Sequence, residues 1–455
     1  MEIKQLFLSQ KNFFEDGETL TYDFRVDKLK QLRASIHSMQ NEICDALKSD
    51  LGKPESESII TEVMTVIHEL DFHIKHLKKW MKPQRVPGSL LTFPSRNLIY
   101  KQPFGVSLIL GAWNYPFHLT IMPLIGAISA GNTSILKPSE LAPATSKLIA
   151  NLVSGLFKSN YISVVEGGVS ESQELLKLPF NKIFYTGGTQ VGKIVMKSAA
   201  DHLTPVTLEL GGKSPAVIHH DADLQVATKR IWWGKCINAG QTCVAPDYVL
   251  IHASKKNEFL ELSKKILHEF YPNGFEPGVN YTRIINERHF DRINGLLKDL
   301  HPEISGINDK QLKLITPVLV SIDDWEHPVM QEEIFGPILP VLTYTDTNDL
   351  KQHLKKQPNP LAFYIFSENK SFQKDIISSV PFGGGCVNDT ITHLGNPHLP
   401  FGGIGNSGMG NYHGKGSFEV FSHSKSVLQK ASWPDPSLRY PPYDKLTSLI
   451  KKYLI

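Results

Sequence analysis

Apolar residues recur at three- and four-residue steps through Leu29, Leu32, Ile36, Met39, Ile43 and Leu47, and predict one amphipathic helix ending near Gly52. Ile60, Val63, Ile67, Leu70, Ile74 and Leu77 repeat the stripe and predict a second helix that stops before Pro83. Both stripes read as packing faces. From Val106 the rhythm shortens. Apolar and β-branched runs over Val106 to Leu110, Ser134 to Lys137, Ile162 to Val165 and Ile183 to Thr186 alternate with helical segments. This alternation predicts an α/β fold in which a parallel sheet carries helices on both faces and ligands bind beyond the carboxyl ends of its strands. Lys137 and the segment at Gly187 stand at two such ends. Prolines and glycines from Lys82 to Ser95 predict a crossing segment rather than another helix. No internal repeat or low-complexity stretch interrupts the pattern.

Composition narrows the class without naming a chemistry. The chain has 455 residues, 41% hydrophobic and 20% charged, enough for two or three packed domains. Its 48 Lys plus Arg against 45 Asp plus Glu leave a formal charge of +3, too balanced for a nucleic-acid partner. Four cysteines, Cys44, Cys236, Cys243 and Cys386, show no paired metal-ligand spacing, so no metal is expected and a reducing, cytoplasmic setting fits. The opening residues carry no basic-then-apolar targeting pattern. The longest apolar stretch, around Phe117 to Ala130, is too short to span a bilayer. The tail from Lys445 to Ile455 carries three lysines and no apolar anchor.

Candidate chemistry begins at Asn238-Ala239-Gly240-Gln241-Thr242-Cys243, where a cysteine sits in a polar, glycine-containing loop. Cysteine attacks as the thiolate, which needs partial exposure and nearby donors; the competing reading is a small buried apolar residue. In Thr207-Leu208-Glu209-Leu210-Gly211-Gly212-Lys213, one carboxylate interrupts a strand-like run. Burial without a cation would raise its pKa and suit it to act as a general base, whereas a strand-end Glu facing solvent would do nothing. Gly187-Gly188-Thr189-Gln190-Val191-Gly192 follows a strand and opens a helix, so its backbone N–H groups can meet a phosphate, although it lacks the G-x-G-x-x-G spacing. Asn114, between Trp113 and Tyr115-Pro116, reads alone as a turn former.

These segments, with Pro103-Phe104-Gly105, Lys137-Pro138-Ser139-Glu140, Glu332-Glu333-Ile334-Phe335-Gly336-Pro337 and Leu399-Pro400-Phe401-Gly402-Gly403, resemble the aldehyde dehydrogenase superfamily over most of the chain. The ending from Gly405 to Phe418 resembles its class 3 branch, which includes fatty and medium-chain aldehyde dehydrogenases. The resemblance implies NAD(P)-dependent oxidation of aldehydes to carboxylic acids through a Cys243 thiohemiacetal and thioester. Asn114 and the Cys243 N–H would hold the oxyanion, and Glu209 would activate the hydrolytic water. It places the cofactor pyrophosphate on Gly187, Gly188, Thr189, Gln190, Val191 and Gly192 and the adenosine ribose near Lys137. Glu140 stands where other branches bind the ribose hydroxyls; class 3 enzymes relax that contact, so NAD and NADP both stay open. Glu333, with Phe335 beside it, would hold the nicotinamide ribose, and the main base role stays open between Glu209 and Glu333.

Tyr115, Phe401 and Tyr412, with Phe418, are expected to wall a funnel for a medium- or long-chain aliphatic or aromatic aldehyde, while His413 is expected to be structural. The implied fold places a Rossmann-like dinucleotide-binding domain at 1–81 and 102–208 and an α/β catalytic domain at 209–394. Bridging and oligomerisation segments fall at 82–101 and 395–455, in a homodimer. The rival readings differ in chemistry. An acylating enzyme would pass the thioester to coenzyme A or phosphate, which Glu209 opposes; a thiol esterase would need no cofactor; a non-catalytic scaffold would not keep these side chains together.

Overall fold

The computed structural model describes residues 2–89, 92–435 and 437–453. Met1, Leu90, Leu91, Pro436, Leu454 and Ile455, which fall within the expected amino-terminal, crossing and C-terminal segments, lie outside the described residues. The first apolar stripe forms two helices rather than one. Tyr22–Ser38 and Gln40–Leu51 are separated at Met39, whose backbone (φ −102°, ψ 18°) leaves the helical region. Leu29, Leu32, Ile36, Ile43 and Leu47 are fully buried on both, so the packing face continues across the break. The predicted stop holds at Gly52, which closes the second helix with φ +57°.

The second stripe contains an irregularity that a 3.6-residue period cannot register. Glu55–Ser58 runs into a π turn at Ile59–Val63 before α geometry resumes over Met64–Trp80. The turn moves the buried face: Ile60 is exposed, Ile67 and Ile74 are half-buried, and Glu62, Glu69 and His73 point inward beside Val63, Leu70 and Leu77. The apolar Phe117 to Ala130 run is a core helix, His118–Ala130, with residues 119–130 all buried.

The predicted strands appear as Val106–Leu110, Thr133–Lys137, Ile162–Val164 and Lys182–Thr186. They join Val206–Glu209 in a parallel sheet ordered 206–209, 182–186, 106–110, 133–137, 162–164, with helices as crossovers. Leu110 pairs with both Lys137 and Tyr185, so Lys137 and the glycine turn after Thr186 emerge at one edge. A sixth strand, Gly408–Met409, adds antiparallel to Val206–Glu209 and brings the C-terminal region beside Glu209.

A second sheet of seven strands is ordered 302–304, 318–321, 338–344, 248–252, 215–218, 362–366, 384–387, all parallel except its first pair. The segment after Lys82 supplies Gln84–Val86 and Arg96–Pro103, and Ser422–Gln429 joins them as a third antiparallel strand. That strand's polar sequence gave no period-2 signal.

Gly52 tests the local chain reversal. An added Cβ would sit 3.2 Å from Arg283 Cγ on a left-handed backbone. Gly52→Ala is expected to cost about 1–2 kcal/mol and to lower the thermal midpoint by a few degrees; an unchanged or higher midpoint would contradict the strain argument.

Candidate active site

The cysteine loop follows the helix Leu224–Cys236 and is wound against its handedness. Asn238, Ala239 and Gly240 all have positive φ, at 53°, 51° and 73°. Left-handed backbone at two non-glycine residues costs of order 1–3 kcal/mol each and persists only where surrounding contacts over-determine it. Those contacts are present. Asn238 Nδ2 donates to the Asn114 carbonyl (2.8 Å) and the Gln241 carbonyl (3.0 Å), and Asn238 N donates to Glu57 Oε1 (2.8 Å). The Gln241 amide donates to the Asn238 and Arg283 carbonyls at 3.0 Å and accepts from the Ile285 N–H at 3.0 Å. Gly240 has a second requirement, because a Cβ there would collide with the Gly336 carbonyl.

Cys243 is half-buried at the end of this turn. Burial, then Glu333 and Glu209, push its thiol up, only partly offset by the backbone N–H groups of Cys243 and Val244. The thiolate is therefore not the favoured form of the ligand-free protein: burial, joined by the two carboxyls, outweighs the local donors. Asn114 is buried, and its Nδ2 donates to the Gln241 carbonyl at 3.1 Å. One N–H of that amide is thus engaged, by a carbonyl two residues before Cys243, and the other is left over.

Glu209 ends the strand Val206–Glu209, buried, with neither carboxyl oxygen hydrogen-bonded among the described residues. Burial alone holds its pKa well above the carboxylate range, as expected for a buried carboxyl without a cation. Glu333 is pushed up to about 8 by burial and then by Asp247, opposed by the Gly212 N–H, Lys213 and Arg292. Gly211 lies flush against it, and a Cβ there would overlap the Glu333 carboxyl group.

At the sheet edge, Lys137 Nζ donates to the Pro138 carbonyl (3.0 Å) and Glu140 Oε2 (3.3 Å), so Glu140 pairs with the lysine. Gly188 precedes the helix Thr189–Ala200 in extended backbone, and Gln190 and Val191 are exposed. Gly187 N donates to the Glu209 carbonyl at 3.0 Å, linking the turn to the Glu209 strand. Gly192 lets that helix approach Leu210, whose Cδ2 would lie 2.7 Å from a Cβ. A dinucleotide fits these features: free N–H groups at the helix start for phosphate, a lysine at the end of the strand two places along the sheet, and glycines where side chains would block approach.

The aromatic candidates separate. Tyr115 is buried with its hydroxyl 2.6 Å from Thr242 Oγ1, one residue before the thiol. Phe401 stacks on His413 (5.2 Å between ring centroids) and lies 5.7 Å from Tyr412, which senses the charges of both Glu209 and Cys243. Phe335 has φ 47° and packs edge-on against Trp113 at 5.3 Å. Phe418 is buried against Trp80 at 5.7 Å. His413, with φ 71°, is buried, as its expected structural role requires.

Several residues escaped the sequence reading. Asp247 pairs with Lys213 (2.5 Å) and accepts from the Ile334 N–H (3.0 Å), fixing the Glu333 segment. Lys53, Glu57 and Glu62 form a buried cluster behind Asn114. The π turn that aims the two carboxyls inward leaves no periodic trace.

A glycine turn bonded to the Glu209 strand, and a thiol that feels the charges of Glu209 and Glu333, suit a cofactor-dependent oxidoreductase. The chain belongs to the aldehyde dehydrogenase family, whose profile matches residues 2–427. It is 44% identical over 453 residues, 99% of both chains, to the 4,4'-diaponeurosporen-aldehyde dehydrogenase of Staphylococcus aureus. It is 46% identical to the dimeric NADP-preferring aldehyde dehydrogenase of Rattus norvegicus, over 94% of this chain and 95% of that one. Among solved structures, the substrate-bound state of Staphylococcus aureus AldH superposes with a TM-score of 0.97 at 43% identity, covering both chains fully. The protein is thus an NAD(P)-dependent aldehyde dehydrogenase of the class 3 type. Among the described residues, no helix is long and apolar enough to cross a membrane, and no group of three or more side chains suits a metal ion.

The coupling of Glu333 to the thiol has a definite pH signature. Glu333 is neutral below about 8 and a carboxylate above it, and only the carboxylate opposes ionisation of Cys243. Glu333→Gln is therefore expected to speed alkylation of Cys243 by iodoacetamide above pH 8 in the ligand-free protein and to leave it unchanged near pH 6. Equal rates at both pH values in the two proteins would remove the coupling.

Proposed function

We propose that Cys243 is the nucleophile, Asn114 and the Cys243 backbone N–H the oxyanion donors, and Glu209 the deacylating base. The observation that carries this reading is the buried Glu209 carboxyl, without a hydrogen-bond partner and acting electrostatically on a thiol whose loop is tied to Asn114. Cys243 gives up its thiol proton to solvent as Sγ bonds to the aldehyde carbon, and the resulting alkoxide takes the spare Asn114 N–H and the backbone N–H. Losing one such donor typically costs on the order of 10²–10³ in rate. Bound NAD(P) supplies the oxidised nicotinamide that accepts hydride. Glu209 then takes a proton from water as its oxygen adds to the thioester carbon, and the Cys243–carbon bond breaks to release the acid. A carboxyl whose pKa is raised is matched to this step near neutral pH.

The cofactor is held, on this reading, by Lys137, Glu140, the turn from Gly187 to Gly192, Glu333 and Phe335. The Lys137–Glu140 pair leaves room for either cofactor: the lysine compensates the carboxylate that would otherwise repel a 2′-phosphate. Tyr115, Phe401 and Tyr412 wall the approach to the sulfur, which suits medium- or long-chain aliphatic and aromatic aldehydes. Residues 1–81 and 102–208 serve as the dinucleotide domain and 209–394 as the catalytic domain; 82–101 and 395–455 serve as bridging and oligomerisation segments. The assembly is a cytoplasmic homodimer. In support, all four cysteines are free, and Ser422–Gln429 lies at an edge of its sheet, paired on one side only among the described residues. Light scattering should return twice the chain mass.

Cys243→Ala is expected to lower aldehyde oxidation by at least about 10³; ordinary turnover in that variant would overturn the assignment. Glu209→Gln should slow thioester hydrolysis by on the order of 10² while sparing acylation, so that stopped-flow traces show a burst of reduced cofactor followed by a slow steady state. A uniform fall of both phases would point away from Glu209 as the base.

A further inference from the structure

Behind the oxyanion site lies a strip of charge with no part in the chemistry above: Lys53, Glu57 and Glu62. Lys53 and Glu62 are completely buried and paired at 2.5 Å, an arrangement whose desolvation is seldom repaid by attraction alone. Their contacts lead to the reacting groups. Glu62 Oε2 accepts from the Phe117 and His118 N–H groups at 3.0 and 3.2 Å, closing the turn that carries Asn114 and starting the core helix. Lys53 Nζ donates to the Asn114 carbonyl at 3.4 Å and lies 4.2 Å from the centre of the Tyr115 ring. Glu57 Oε1 accepts from the Asn238 N–H at 2.8 Å and from Thr282 Oγ1 at 3.3 Å, on the other side of the site. The Asn114 carbonyl also accepts from Asn238 Nδ2 at 2.8 Å, so the two sides meet at that residue.

The π turn makes this strip possible. In a regular α-helix, residues five apart point about 140° away from each other, which would turn Glu57 and Glu62 to different surroundings. A π turn closes over five residues, and the one at Ile59–Val63 absorbs the extra residue between them. Both carboxyls therefore reach inward.

We propose that Lys53, Glu57 and Glu62 are positioning residues: they fix the Asn114 amide against the Cys243 turn, and the π turn is the device that aims them. This rests on the reading of Asn114 as an oxyanion donor, and the test separates the two. Glu62→Gln keeps an acceptor for the Phe117 and His118 N–H groups and removes the ion pair. Lys53→Met combined with Glu62→Gln removes both charges, so that neither member of the pair is left buried alone. Each is made in the native chain and with Asn114→Ala, and kcat is measured for aldehyde oxidation and for cofactor-free hydrolysis of p-nitrophenyl acetate, alongside the dissociation constant for the cofactor.

The expected result is a fall in both rates of about 10- to 100-fold in the native chain, no change in cofactor affinity, and less than about twofold further loss with Asn114→Ala, because residues acting through one group are not additive. Equal losses in both backgrounds, or none in the native chain, would overturn the proposal while leaving the oxyanion assignment intact. If Asn114→Ala alone leaves both rates unchanged, the oxyanion assignment fails first and the proposal with it.

Discussion

The hydrogen bonds joining Asn114, Asn238 and Gln241 are the constraint on which the site depends. Asn114 follows a strand of the six-stranded sheet, whereas Asn238 and Gln241 precede a strand of the seven-stranded one. Two bonds of 2.8 and 3.1 Å tie one to the other, and a third of 3.0 Å from Asn238 to Gln241 braces the loop; together they hold the reversed turn at residues 238–240 in its unfavourable backbone region. Without them the turn would relax toward ordinary conformations, the sulfur would swing, and the amide aimed at the developing charge would lose its reference. Strain in the turn before Cys243 is thus balanced by hydrogen bonds at the junction of two sheets.

Electrostatics at the site run against the nucleophile in the ligand-free state. Burial and two carboxyls disfavour charge on the sulfur, and the same burial keeps the carboxyls from ionising. A thiol held neutral is protected from the oxidants and electrophiles that attack thiolates. A raised pKa also makes either group, once ionised, a stronger proton acceptor than an ordinary carboxylate, as a hydrolytic step needs.

Much of this was legible in the sequence, for physical reasons that differ between elements. The parallel strands are buried on both faces, so Val106–Leu110 and Lys182–Thr186 stood out as short apolar runs with glycine at their ends. Glu209 was visible because a carboxylate inside such a run must be buried. What stayed hidden involved either a break in period or a partner distant in sequence. Met39 interrupts a stripe whose apolar spacing continues unbroken, and the π turn rotates Ile60 outward and Glu62 inward with no change in residue type. Ser422–Gln429 is polar along most of its length and becomes a strand only because Arg96–Pro103 offers it an edge. The opposition of the carboxyls to the thiolate depended on distances that composition cannot supply.

The two-residue strand Gly408–Met409 has a consequence for how the enzyme can vary. It pairs Gly408 with Glu209, and the stretch leading to it is pinned as well by bridges at Phe401–Tyr412 and Gly405–Gly408 and by the Leu210 N–H on the Ser407 carbonyl. Residues between Gly384–Val387 and Phe401 can lengthen, shorten or change shape without displacing the Glu209 carboxyl, because these contacts reset the chain before it returns to the core. With Phe401 and Glu209 in the proposed roles, substrate choice and hydrolysis become separable in descent: the apolar approach can be remodelled for new carbon skeletons while the backbone beside Glu209 remains as it was.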